Sequence, residues 1–172
     1  ASEVAKLAAY AGDRKVITAE DVDAVVTRVA EDEFFALGNA VEARDLPATM
    51  GVLDRAFADG VTPYQLVGML AGTVRRLVVE RERARRVAGE EPIRSSRDWE
   101  ARVFPEIPEE ERKGKKPYGF WMKYQASLRF GRGELLSALA ALADADVAMK
   151  SGFDGRLALE RLLLGLLGQR GA

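Results

Sequence analysis

Two absences restrict the residues of this chain that could do chemistry. The 172-residue sequence contains no cysteine and no histidine. These residues supply the commonest general base, the thiolate nucleophile and most protein ligands of transition metals. The sequence also lacks the Gly-rich loop ending in Lys-Ser/Thr that holds nucleotide phosphates. A carboxylate- or lysine-based site would still be allowed, but no pattern outlines one. We therefore expect no catalytic, cofactor or metal site, and no enzyme activity.

Asp146 and Lys150 are the clearest pair of opposite charges at helical spacing. They lie one turn apart with the acid first, which is the favoured order for an i,i+4 ion pair. No nucleophile or metal-ligand set accompanies them, so an acid–base role is disfavoured. We interpret the pair as a structural contact between the last two helices. It would contribute about 0.3–0.5 kcal/mol if exposed, and losing one partner would cost about 3–5 kcal/mol if buried.

Basic residues are concentrated in one predicted helix, at Arg75, Arg76, Arg81, Arg83, Arg85 and Arg86. Glu80 and Glu82 interleave with them, and the spacing predicts the pairs Arg76–Glu80 and Glu82–Arg86. The 26 basic and 27 acidic residues nearly cancel over the whole chain, so any attraction for nucleic acid must be local. A solvated, self-neutralised helix face is favoured over a nucleic-acid surface.

A second basic cluster follows, in which Lys113, Lys115 and Lys116 are candidate DNA contacts. An aromatic group comes directly after it, at Tyr118, Phe120, Trp121 and Tyr124. Aromatic rings beside lysines could stack on bases. Their helical spacing favours packing in the core instead.

The last predicted helix carries more leucine than one buried side requires. Leu159, Leu163, Leu166 and Leu167 are candidates for a subunit interface. A helix that is apolar almost all round must be covered on most sides. The pattern leaves open whether the domain's own core or a neighbouring subunit covers these four leucines.

The elements that position these residues are all predicted to be helices. Apolar residues recur at steps of three and four along most of the chain, and no stretch alternates as a strand does. Thr18, Asp45, Thr62 and Asp154 stand where N-terminal caps are expected. Short links between successive helices indicate an all-α fold, an antiparallel helical array or bundle. One helix is predicted from Thr18 to Val29 and a separate one from Asp32 to Arg44.

The helical pattern fails between Val87 and Lys116, where proline and glycine are frequent. We expect a long inserted loop at about 87–116, with one helical turn near Ser96–Arg102. Trp99, Val103 and Phe104 are expected to hold it to the rest of the domain. No apolar run is long enough to span a membrane. The first residue is not methionine, as expected for a piece of a longer protein.

Several of these segments together resemble the delta subunit of bacterial DNA polymerase III, a clamp-loader family. Leu7–Gly12 and Ile17–Val22 are similar to the end of the family's lid domain. Later segments are similar to the family's collar domain: Phe35–Leu37, Ala43–Asp45, Leu53-Asp54, Arg75–Leu77, Ala143–Gly152 and Leu157–Glu160. The last two of these are the most distinctive. The resemblance covers nearly all of the chain except residues 87–116.

The resemblance implies a lid remnant at residues 1–29 and a helical collar domain at residues 30–172. It implies assembly with the other loader subunits (delta prime and tau/gamma-like) through the collar. Contact with the sliding clamp would fall to an N-terminal AAA+-like domain that is absent here, and contact with primed DNA to the whole complex. The protein would be cytoplasmic and nucleoid-associated through the replisome. The holoenzyme, a DNA-directed DNA polymerase, would supply the enzyme activity.

A second hypothesis belongs to a different class of function. The chain could be a stand-alone helical nucleic-acid-binding module that acts through the Arg75–Arg86 helix and the Lys113–Lys116 loop. The near-zero net charge favours the first hypothesis. Salt-dependent DNA binding distinguishes the two, because phosphate contacts weaken steeply as salt rises.

Overall fold

The computed structural model describes residues 3–14 and 16–168, without the side chains of residues 3, 6 and 23–32. The described residues contain helices and turns and no strand, which confirms the all-α prediction. None of their helices is both long and apolar enough to cross a bilayer. The α-helices in chain order are α1 (Glu3–Ala11), α2 (Ala19–Ala43), α3 (Leu46–Ala58), α4 (Pro63–Ala88), α5 (Ser96–Arg102), α6 (Glu109–Arg112), α7 (Pro117–Ser127), α8 (Arg132–Lys150) and α9 (Gly155–Leu167).

The predicted N-terminal caps are present. The Thr18 hydroxyl accepts from the Asp21 backbone N–H, and the Asp21 carboxylate accepts from the Thr18 N–H, which forms a complete capping box. Asp154 accepts from the Leu157 N–H at 2.7 Å. Each cap satisfies a donor that the first helical turn leaves unpaired. Local sequence therefore fixes where α2 and α9 begin.

The predicted interruption between Val29 and Asp32 is wrong. The backbone of α2 runs without a break from Ala19 to Ala43. The intervening residues contain neither glycine nor proline, so nothing in the backbone chemistry ends the helix there. The proposed division of the chain at residues 29 and 30 falls inside this helix and stays a prediction.

The main core is built around α4. Its Leu66, Leu70, Val74 and Leu77 recur at steps of four, four and three, as expected for one side of a helix, and are at most 1% exposed. Helix α4 packs against α2, α7, α8 and α9, while α2 packs along α3. Helix α4 therefore lies at the centre of the array. Its arginines lie on the side of the helix that does not face the main core.

Residues 89–116 build a second, smaller core instead of an open loop. Trp99, Val103 and Ile107 are 0%, 0% and 1% exposed and pack with Tyr124 of α7. Trp99 stacks on Tyr124 with ring centroids 6.3 Å apart. The predicted turn at Ser96–Arg102 is present as α5, and a 3-10 turn (Phe104–Glu106) and the short α6 follow. This segment therefore reaches α7 as a packed unit.

Gly131 and Gly133 predict that α7 runs to Phe130, but the helix ends three residues earlier, at Ser127. The Ser127 hydroxyl donates to the Tyr124 carbonyl at 2.6 Å, and Phe130 N donates to the Ser127 carbonyl in the turn that follows. Serine competes for backbone carbonyls in this way and loosens a helix end. Phe130 is buried in the main core, so the turn leads directly into α8.

Candidate functional site

A groove of about 760 Å³ lies between α4 and the start of α7. Helix α4 contributes one wall, and the chain from α6 into α7 contributes the other. Its charged and aromatic lining residues are Arg75, Arg76, Glu80, Arg83, Glu111, Lys115, Lys116, Tyr118, Phe120 and Lys123. The fold therefore brings both basic segments singled out in the sequence to one site.

Six basic and two acidic side chains line the groove. Both acids pair with one arginine: Arg83 lies 2.8 Å from the Glu80 carboxylate and 2.6 Å from that of Glu111. The predicted Arg76–Glu80 pair is wrong, because Glu80 turns toward Arg83, and Arg76 instead donates to the Thr73 hydroxyl at 3.3 Å. The groove thus keeps an excess of positive charge although the chain as a whole has net charge -1.

The other predicted pair on this helix, Glu82–Arg86, is also wrong. Glu82 pairs with Arg85 at 3.0 Å and with Arg132 of α8 at 2.8 Å. Hydrogen bonds from Arg132 and Arg85 lower the pKa of Glu82 despite its partial burial. This half of the arginine helix is neutralised, as predicted from the sequence for the whole helix.

Four cations of the groove have no acidic partner among the described residues: Arg75, Arg76, Lys115 and Lys116. All four are exposed. The Lys115 ammonium lies 5.9 Å from the centre of the Phe120 ring, which is within reach of a cation–π contact. These side chains can therefore meet an anionic ligand without first breaking an ion pair.

Glu80 lies at the base of the groove and is 5% exposed. Burial raises the pKa of this carboxyl, and the nearby Arg83 opposes the rise. Its Oε2 atom has no hydrogen-bond partner among the described residues. A buried carboxylate with one unpartnered oxygen is costly when ionised, and the Arg83 guanidinium beside it offsets part of this cost.

The aromatic group divides between the core and the groove. Tyr124 is 2% exposed in the second core, and Trp121 packs beside it, as predicted. Tyr118 is 65% exposed at the rim of the groove, so the core prediction is wrong for this residue. Phe120 is partly buried and meets Phe104 edge to face at 5.8 Å. The groove therefore presents the exposed ring of Tyr118 and the partly buried ring of Phe120, which packs against Phe104.

Lys113 belongs to the same basic cluster but is not part of the groove lining. It is exposed, at the C-terminal end of α6. Gly114 follows with a positive φ of 73° and turns the chain back toward α7. This turn separates Lys113 from Lys115 and Lys116.

The four leucines proposed as a subunit interface lie in the interior of the chain. Leu159 and Leu163 are 0% exposed, and Leu166 and Leu167 are 7% and 6% exposed. All four pack in the main core against α3, α4 and α8. None of them offers a surface to a partner, because the domain's own helices cover them. The exposed leucines of α9 are Leu157 and Leu164, at 45% and 50%.

The Asp146–Lys150 ion pair is present, with the ammonium 2.5 Å from the carboxylate. The two side chains are 35% and 64% exposed, and both belong to α8. The pair is therefore a surface contact within one helix, and does not join the last two helices as expected. Its contribution is in the range of exposed pairs, about 0.3–0.5 kcal/mol.

Sequence reasoning missed the cluster around Arg44. Its guanidinium lies 2.7 Å and 3.0 Å from the two carboxylate oxygens of Glu134, and it also donates to the Arg129 carbonyl at 2.6 Å. The Arg44 and Glu134 side chains are only 15% and 25% exposed. The partners are 90 positions apart in the sequence, so no local pattern indicates this contact.

Among the described residues, no three acidic, histidine or cysteine side chains come close enough together to form a metal site. The arrangement at the groove contains cations and rings but no paired nucleophile and base. It is therefore suited to binding an anionic, partly planar ligand.

The fold is similar to that of the DNA clamp loader delta protein YqeN of Bacillus subtilis, with a TM-score of 0.59 and 23% sequence identity. The match covers 97% of this chain and 45% of that chain, so this chain spans less than half the length of YqeN. No family model and no curated protein matches the sequence. The match supports a clamp-loader-like fold. A structural match at this level of sequence identity shows similarity of fold and does not show a shared function.

Proposed function

We propose that the chain is the C-terminal assembly part of a delta-like clamp-loader subunit, and that it contributes to placing the sliding clamp on primed DNA. The observation that carries the proposal is the fold match along 97% of the chain. The collar resemblance of segments such as Ala143–Gly152 supports it. In this function the chain positions subunits and has no catalytic site of its own.

The partners in this proposal are the other loader subunits, delta prime and tau/gamma-like. A separate N-terminal domain would contact the clamp, and the DNA would be held by the assembled complex. The protein would act in the cytoplasm, at the nucleoid, as part of the replisome.

The surface best suited to assembly is the outer side of α9 and the adjoining side of α8. Leu157 and Leu164 are seven residues apart, so they share one side of the helix. A groove of about 390 Å³ between α8 and α9 is lined by four alanines, by Leu162 and Phe153, and by the charged Asp144 and Arg161. Exposed apolar residues next to a groove of small side chains are typical of helix–helix interfaces.

Reconstitution of the loader with the complete subunit tests this function. We expect the subunit to enter a complex with the other loader subunits. Leu157→Asp and Leu164→Asp should each weaken that assembly by about tenfold or more, because apolar interface anchors contribute about 1–2 kcal/mol or more. Circular dichroism should show that both variants remain folded, since the replaced side chains are exposed.

Two further variants complete the design. Met122→Asp alters a residue of α7 that is 45% exposed and should assemble normally. Leu163→Asp alters a core residue and should unfold the domain. If Leu157→Asp and Leu164→Asp assemble like the wild type, α9 is not the interface. If the wild-type subunit does not assemble at all, the clamp-loader function is wrong.

A further inference from the structure

We propose that the groove between α4 and α7 is a binding site for single-stranded nucleic acid. The proposal does not rest on the assembly function, because it concerns a different surface of the chain. It begins from a placement that only the fold produces. Arg75 and Arg76 of α4 lie across the groove from Lys115 and Lys116, which are forty residues further along the chain.

Charge indicates the first property of the ligand. The groove holds an excess of cations in a chain whose total charge is -1. The two acids of the lining are both held by Arg83, so they do not neutralise the cations on the rims. Cations on both walls of a groove match a ligand that carries negative charge along its length, as a phosphodiester backbone does.

The aromatic rings indicate the second property. Tyr118 leaves 65% of its surface exposed at the rim, beside Phe120 and Lys116. An exposed ring offers a flat face, on which a base can stack whatever its sequence. In a duplex the base faces are already covered by their neighbours, so only a single strand can use this ring.

An acidic peptide is the competing ligand, and the shape of the groove disfavours it. Grooves that bind helices or polyproline segments hold their ligands through apolar side chains enclosed in pockets. Here the apolar side chains of the lining are Val79, 36% exposed, Phe120, and Tyr118, whose ring stands free at the edge. An open ring beside exposed cations suits a planar base joined to a phosphate better than an aliphatic anchor.

Fluorescence anisotropy with the purified chain and a labelled oligothymidine of about twenty nucleotides tests the proposal. We expect an association constant whose logarithm falls linearly with the logarithm of the salt concentration. A duplex of the same length should bind at least about fivefold more weakly, because it offers no free base face for stacking.

Charge reversal within the lysine cluster gives a matched comparison. Lys115→Glu and Lys116→Glu should each weaken binding by about tenfold and reduce the magnitude of the salt slope by about 0.7 for each phosphate that is no longer neutralised. Lys113→Glu makes the same change of charge two residues away and should weaken binding clearly less, because Lys113 does not line the groove. Equal weakening by all three variants would overturn the proposal, since it would indicate general attraction without a defined site.

Tyr118 tests the stacking step separately. Tyr118→Ala should weaken binding by at least about fivefold, while Tyr118→Phe, which keeps the ring, should bind like the wild type. The ring is largely exposed, so neither change is expected to affect folding. Tighter binding of duplex than of single strand, or equal competition by a polyglutamate peptide, would show that the groove recognises another ligand and would refute the proposal.

Discussion

At the scale of single residues, Arg44 joins the end of α2 to the turn before α8. It adopts a left-handed backbone conformation with φ of 57°, which for a residue other than glycine costs about 1–2 kcal/mol. Its guanidinium makes a two-pronged contact with Glu134 and lies 5.0 Å from the centre of the Phe130 ring. Charge-assisted hydrogen bonds of this geometry are among the stronger ones in proteins and offset the backbone cost.

Glu134 should make the stability of the protein depend on pH. Hydrogen bonds from Arg44, and then from the Gly131 N–H, hold the pKa of this carboxyl below its ordinary value of 4.5. A lowered pKa in the folded state contributes stability above the ordinary pKa, and this stability is lost as pH falls through the folded value. Glu134→Gln should therefore lose about 1–3 kcal/mol of unfolding free energy near neutral pH, and much less at about pH 3.

Urea denaturation at a series of pH values measures this difference. Glu110→Gln is the matched control, because Glu110 is exposed and has no ion-pair partner among the described residues. Its stability curve should follow that of the wild type. Parallel curves for Glu134→Gln and the wild type across the acid range would contradict the prediction.

At the scale of elements, the contact between α9 and α4 depends on the absence of a side chain. A Cβ atom on Gly155, the first residue of α9, would lie 2.6 Å from the Cβ of Pro63 and 3.0 Å from the sulfur of Met149. Pro63 is the first residue of α4 and Met149 is in the last turn of α8. Glycine at this position therefore lets the ends of three helices meet.

Gly155→Ala should destabilise the fold by about 1–3 kcal/mol, because the added methyl group forces packed atoms apart. Gly72→Ala provides the opposite case within α4, since no atom lies within 4 Å of the added Cβ. It should stabilise the helix by about 0.5–1 kcal/mol. Chemical denaturation of both variants measures the changes. A neutral or stabilising effect of Gly155→Ala would show that α4 and α9 can separate without cost.

At the scale of the whole molecule, two cores share α4 and α7. The larger core contains the central part of α4 and most of α8 and α9, while the smaller one contains Ala84 near the end of α4. The smaller core holds residues 89–116 in place, and with them one wall of the groove. The Ile93 N–H donates to the buried Tyr124 hydroxyl at 2.8 Å, which ties this segment to α7.

Trp99→Ala should open the smaller core and leave the larger one folded. Trp99 is 0% exposed, and removing a side chain of this size costs about 3–5 kcal/mol. Hydrogen exchange should show reduced protection at Ile93 and retained protection at Leu70 and Leu77 in α4. Phe35→Ala, at an exposed aromatic residue of α2, should leave all three protected. Loss of protection throughout α4 in Trp99→Ala would show that the cores form one cooperative unit.

The sequence by itself determined the features that depend on neighbouring residues. Thr18 and Asp154 cap their helices through atoms three residues away, so composition and spacing sufficed. The inward stripe of α4 followed from helical periodicity. The end of α7 was predicted too late, because the Ser127 hydroxyl competes for a backbone carbonyl four residues before Gly131, where the helix was expected to stop.

The tertiary structure alone decided which of several equivalent residues faces which surroundings. Leu163 is buried and Leu164 is exposed, yet both belong to one apolar run. Glu80 pairs with Arg83 and not with Arg76, and the same Arg83 guanidinium also holds Glu111 from the segment before α7. Lys115 lines the groove and Lys113 does not, because the chain turns at Gly114. Each choice depends on helices that are distant in sequence, and the spacing of residues within one helix carries no information about them.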